Sequence, residues 1–123
     1  MDDLVQQAMA KWPNVPNCFG WLGLCARGNW YMRDDVAQQA GSFAGEAATP
    51  ASRGSLLKHE KLIAFINRNY AADTNGAWYF QNGPQRVYVE LEATPLIARI
   101  TPSGIAAHTG EDLNIQRCLV DEM

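Results

Sequence analysis

Between Gly76 and Glu92 the chain reads GAWYFQNGPQRVYVELE, two alternating runs on either side of a turn signal. A strand sends successive side chains to opposite faces, so the alternation sorts these residues into two sets. With Asn82–Gly83–Pro84–Gln85 as the loop, Phe80 pairs with Val87 and Trp78 with Val89, and Pro84, which has no amide hydrogen, stays out of the ladder. One face is then Trp78, Phe80, Val87, Val89 and Leu91, the expected core face. The other is Tyr79, Gln81, Arg86, Tyr88, Glu90 and Glu92. A two-residue Asn–Gly turn shifts the pairing by two and preserves both faces.

The second face reads in two ways. Tyrosine joins a large apolar ring to one hydrogen-bonding tip, a combination enriched at interfaces. Tyr79 and Tyr88 either cover an ordinary solvated sheet by packing on the stem of Arg86, or form a partner site with Arg86 and Glu90. The partner reading expects both tyrosines to be partly exposed and within reach of Arg86.

Around this hairpin the periodicity changes several times. Residues 3–12 carry Leu4, Val5, Ala8, Met9 and Trp12 on one helical stripe, with Asp2 or Asp3 as cap and Pro13 as stop. CFGWLGLCARGNWYMRD reads as a hairpin with strands near 18–25 and 29–33, the first apolar on both faces and therefore central. The glycines of FGWLG mark close packing or a bend. DDVAQQAG is a capped turn of helix, with Asp35 at the cap and Gly41 at the end. Residues 41–54 are small, polar and without period, and are expected to form a mobile loop. The main helix is expected over 55–70, capped by Ser55, with Leu62, Ile63, Ile66 and Tyr70 on its inner face. PLIARIT and GIAAHT follow, joined by a β-turn at Thr101–Pro102–Ser103–Gly104, and NIQRCLV supplies a last strand. The pattern predicts an α+β fold over a single domain, 1–123: a mostly antiparallel sheet (hairpin plus C-terminal meander), the 55–70 helix packed on one face, and a short N-terminal helix.

Several functions are disfavoured. Net charge is −3 and no two basic residues are adjacent, so no basic patch for nucleic acid is announced and no nucleic-acid partner is expected. No stretch approaches the roughly eighteen apolar residues of a membrane span, and MDDLVQQAMAKW lacks the features of a signal peptide. The three cysteines, Cys18, Cys25 and Cys118, form no CxxC and fit free thiols in a reducing cytoplasm. HEKLI lacks the second histidine of a zinc-protease helix, and His59 and His108 have no ligand-spaced neighbours, so no metal or cofactor is expected. No nucleophile elbow or phosphate-binding glycine loop is present.

The segments KWPNVPNCFGWLGLCARGNWYMRDD and HEKLIAFINRNYAADTNGAWYFQNGPQRVYVELEATPLIARI resemble a family of small bacterial proteins known only as a domain of unknown function. The resemblance spans most of residues 11–100 and implies a cytoplasmic bacterial protein, with no activity or site residue attached. Sequences of that look continue past a strand like RCLVDE into a further hairpin. The resemblance therefore also implies that this chain stops short at Met123 with an unpaired last strand.

Two functional expectations result. The first is a non-enzymatic binding module acting on a protein partner, or on a second copy of itself, through Tyr79, Arg86, Tyr88 and Glu90. The alternative is a small enzyme or small-molecule binder with a pocket between the 55–70 helix and the sheet, near His59 and Cys18 or Cys25. A concave site with convergent groups favours the second, a flat patch the first.

Overall fold

The computed structural model describes residues 1–101, 104–109 and 119–120. The expected turn at Pro102–Ser103, most of the NIQRCLV strand and Cys118 lie outside the described residues. The architecture is α+β. Among the described residues, four helices are α1 (Asp3–Lys11), α2 (Asp35–Ala40), α3 (Pro50–Arg53) and α4 (Glu60–Arg68). Nine strands among the same residues are β1 (Cys18–Leu24), β2 (Trp30–Met32), β3 (Ser55–Leu56), β4 (Tyr70–Ala72), β5 (Trp78–Asn82), β6 (Gln85–Leu91), β7 (Ile97–Thr101), β8 (Gly104–Ala107) and β9 (Leu119–Val120).

A six-stranded sheet has the order β3-β2-β1-β6-β5-β4, and a three-stranded sheet the order β8-β7-β9. Pairing is mostly antiparallel, but β1 runs parallel to β6 at the centre of the large sheet and β7 runs parallel to β9. The expected meander is therefore divided: β5–β6 belongs to the large sheet and β7–β8 to the small one. The parallel pair joins segments more than sixty positions apart, Leu22 beside Val89 and Leu24 beside Leu91, which local periodicity does not report.

The hairpin at 78–91 forms in the expected register, with Phe80 opposite Val87 and Tyr79 opposite Tyr88 around a two-residue Gly83–Pro84 turn. The core lies on the predicted face. Leu22, Leu24, Trp30, Ile66, Phe80, Val87 and Ile97 cluster there, with Ile63, Val89 and Leu91 packed beside them. His108, just beyond β8, is also buried there; its ring meets those of Trp30 and Tyr70 edge-on, and its Nδ1 accepts from the Ile97 amide at 3.2 Å.

The 55–70 helix requires correction. Ser55–Leu56 pairs with β2 as β3, and the helix begins only at Glu60, where His59 Nδ1 accepts from the Leu62 amide at 3.2 Å. Tyr70 opens β4. At nine residues α4 is no longer than α1, so no single helix dominates. In α2 the cap is Asp34, not Asp35, and accepts from the Ala37 amide at 2.9 Å. Asp2 stands at the N-cap position of α1 without a side-chain capping bond; its carboxylate pairs instead with Arg68, and its amide donates to Asn69 Oδ1. Of the α1 stripe only Val5 is buried.

Both faces of the large sheet are partly covered. Phe43 lies over Gly23 on the second face, where a Cβ would collide with its ring. Beneath the C-terminal end of α1, Met9, Trp12 and Val15 line a cleft with Gln81 and Arg86. β1 is central as expected, yet Phe19 and Trp21 in its first half remain exposed. Both roles considered for the FGWLG glycines occur, since β1 bulges between Cys18 and Leu22 and Gly23 is a site of close packing.

Candidate functional site

The alternating pattern of β5 and β6 brings Tyr79, Arg86, Tyr88 and Glu90 onto one face. The Arg86 guanidinium sits 4.3 Å over the Tyr79 ring, and its Nη1 donates to the Tyr88 hydroxyl at the long distance of 3.5 Å. The Tyr88 hydroxyl donates in turn to Asp73 Oδ2 at 2.8 Å, which holds the Asp73 carboxyl below its ordinary value. Tyr79, Arg86 and Tyr88 are therefore brought together, whereas Glu90 shares the face but makes no hydrogen bond or ion pair with them among the described residues; Tyr79 is only 7% exposed. The expected partial exposure holds for Tyr88 and not for Tyr79. A side chain already withdrawn from water has little area left to bury against a partner. Phe19, which sequence reasoning assigned to a covered strand, is 62% exposed and stacks parallel on Tyr88 at 5.0 Å between centroids.

On the opposite face a cavity of ≈ 440 Å³ opens between α4 and strands β1, β5 and β6. Its walls are Leu22, Ile66, Phe80 and Val87 from the core, with Trp21, Met32 and Leu62 exposed at the mouth. The bulge in β1 puts Cys18 and Trp21 beside the same opening. The polar residues are few. Asn82 makes no side-chain hydrogen bond among the described residues, and Gln85 Nε2 donates to Pro16 O at 3.1 Å, leaving its carbonyl available. Among the described residues, no charged side chain lines the cavity.

Of the three residues considered for a pocket between helix and sheet, only Cys18 lines it. His59 is exposed and occupied as the cap of α4, while Cys25 is buried at the β1–β2 turn, its amide bonded to Asn29 O. Burial pushes the Cys18 thiol up from its ordinary value, which favours the neutral form. A nucleophilic cysteine needs the reverse shift and a base at hydrogen-bond reach. The cavity as built can hold an apolar body and hydrogen-bond one neutral polar group. Trp21, Met32 and Leu62 were missed as site residues. No local signal marks them, because the place of Trp21 at the opening depends on the bulge.

No group of residues suited to hold a metal ion occurs among the described residues, and no helix there is long and apolar enough to cross a membrane. The chain belongs to the family DUF2944, described as "Protein of unknown function (DUF2946)", whose model matches residues 1–123. No curated protein matches it. A solved structure of a DUF1285 family protein from Silicibacter pomeroyi DSS-3 is similar with a TM-score of 0.44 and 11% identity, over 89% of this chain and 59% of that one. The chain thus spans 59% of the length of that protein.

Proposed function

We propose that this member of the DUF2944 family is a non-enzymatic binding protein that takes a small, uncharged, largely apolar ligand into the cavity between α4 and the large sheet. The observation that carries the reading is the lining, an apolar wall with two carboxamides and, among the described residues, no charge. Its volume, ≈ 440 Å³, falls in the range of small-molecule sites. A charged ligand would lose its hydration there without gaining a counter-charge. A neutral hydroxyl or amide at one end of an apolar chain would meet Asn82 and the Gln85 carbonyl. The free thiols Cys18 and Cys25 and the family resemblance support placing the protein in a bacterial cytoplasm.

The test is fluorescence titration with N-phenyl-1-naphthylamine, an uncharged apolar fluorophore, followed by displacement with 1-decanol. Saturable enhancement is expected, reversed by 1-decanol and abolished in Leu62→Arg, which places a cation at the half-open mouth with the melting temperature little changed. Absence of saturable enhancement, or equal enhancement in a folded Leu62→Arg, contradicts the reading.

The exposed Phe19 stacked on Tyr88 favours a second reading, association with a protein partner or a second copy through Phe19, Tyr88 and Arg86. Sedimentation of wild type and Phe19→Ser tests self-association. A wild-type dimer that the variant loses supports it, and a monomer in both removes it.

A further inference from the structure

Arg33 is 4% exposed and lies on the second face of the sheet, away from the apolar cavity. Its guanidinium donates from Nε to Ser52 O at 2.9 Å, from Nη1 to Gly20 O at 3.0 Å and from Nη2 to Gly41 O at 2.7 Å. Every one of these acceptors is neutral. No carboxylate stands within ion-pair distance of it among the described residues. A guanidinium carries five N–H donors, so one on each terminal nitrogen is left over.

Arg33 lines a cavity of ≈ 510 Å³ together with Gln38, Ser42, Phe43 and Glu90. Glu90 is exposed and makes no ion pair among the described residues, with Arg33 or with any other cation. One cavity therefore presents a buried cation and a carboxylate that do not neutralise each other. The three carbonyls explain how Arg33 ties the β1 bulge to the 41–54 segment, but neutral dipoles do not cancel its charge. A bound carboxylate would do so through charge-assisted hydrogen bonds. Glu90 would repel a simple anion, and Arg33 would repel a simple cation. A molecule carrying both charges satisfies both walls and is selected over either alone.

We propose that this cavity binds a free α-amino acid, its carboxylate on Arg33 and its ammonium on Glu90. The Ser42 hydroxyl is available as a further hydrogen-bonding group on the same wall.

The experiment is isothermal titration of the whole chain with L-leucine, N-acetyl-L-leucine, which lacks the ammonium, and L-leucinamide, which lacks the carboxylate. Wild type should bind L-leucine saturably and each derivative about tenfold more weakly or worse, the loss expected for one charge-assisted contact. Arg33→Gln can fail to fold, because its three carbonyl bonds hold the layer together. Glu90→Gln alters an exposed residue and keeps the test decisive. It should weaken L-leucine binding by about tenfold while N-acetyl-L-leucine binds as well as before or better, since a repulsion is removed. No saturable binding of L-leucine by folded wild type overturns the proposal. So does equal binding of L-leucine and its N-acetyl derivative, or an unchanged L-leucine affinity in Glu90→Gln.

Discussion

Gly54 illustrates how much a single position can decide. Its φ of 86° lies in the region that side-chain-bearing residues rarely adopt, and a Cβ there would collide with the carbonyl of Met32. Gly54→Ala should therefore cost about 1–3 kcal/mol, read as a lower urea midpoint with an unchanged slope. Glu92 makes a second residue-scale prediction. Its carboxylate accepts from both terminal nitrogens of Arg53, at 2.7 and 3.0 Å, and from the Ala26 amide at 2.7 Å. The Arg53 hydrogen bond, then the Ala26 amide, lower its pKa from 4.5 to about 2. The folded-state value lies below the unfolded one, so this contribution is fully present above about pH 4.5 and is lost as pH falls toward about 2. The pair is partly exposed, which limits its worth to about 1 kcal/mol. Glu92→Gln should lose that amount at neutral pH and decline less steeply between those two values, measured by denaturation across pH. The alternating side chains of the 78–91 hairpin were legible at this scale because period and turn chemistry are local. The burial of Tyr79 was not, since it depends on Arg86 lying over the ring and on the Tyr88 ring tilted beside it.

At the scale of elements, boundaries moved wherever a tertiary partner competed with local propensity. Ser55 and Leu56 look like a capped helix start, but the edge of β2 offers them a ladder and they take it. Thr49 and Ser52 form a reciprocal capping box around α3, inside a segment whose small residues show no period. A single helical turn is too short to produce one. Phe43 and Ser52 in the same segment are buried, and Arg53 stacks on the Tyr31 and Phe43 rings. Amide exchange should separate the parts of 41–54. The Ser52 and Arg53 amides, bonded to Thr49 Oγ1 and Thr49 O, should be protected relative to their neighbours in the segment. Uniformly fast exchange would mean that the capped turn opens freely and the segment behaves as one mobile loop. The parallel β1–β6 pairing could not be read from the sequence for a related reason: nothing local distinguishes two strands that will meet in parallel from two that will not.

For the whole molecule, the central claim is that the apolar cavity beside α4 is a ligand site rather than a packing defect. The cavity is open at one side, and Trp21, Met32 and Leu62 at its mouth leave apolar surface in water. An occupant with an apolar body relieves that cost. Sequence led to the expectation of a pocket between helix and sheet; a cavity lies there and Cys18 lines it, while His59 and Cys25 do not, and the remaining lining depends on a bulge and a helix start that only the fold reveals. The most direct measurement is chemical-shift mapping by nuclear magnetic resonance as 1-decanol is added. Saturable shifts should concentrate on the Trp21 indole, the Met32 methyl and the Leu62 and Ile66 methyls, with the Phe19–Tyr88 face undisturbed. No saturable shift, or shifts spread over the exposed apolar residues of both faces, would contradict the account.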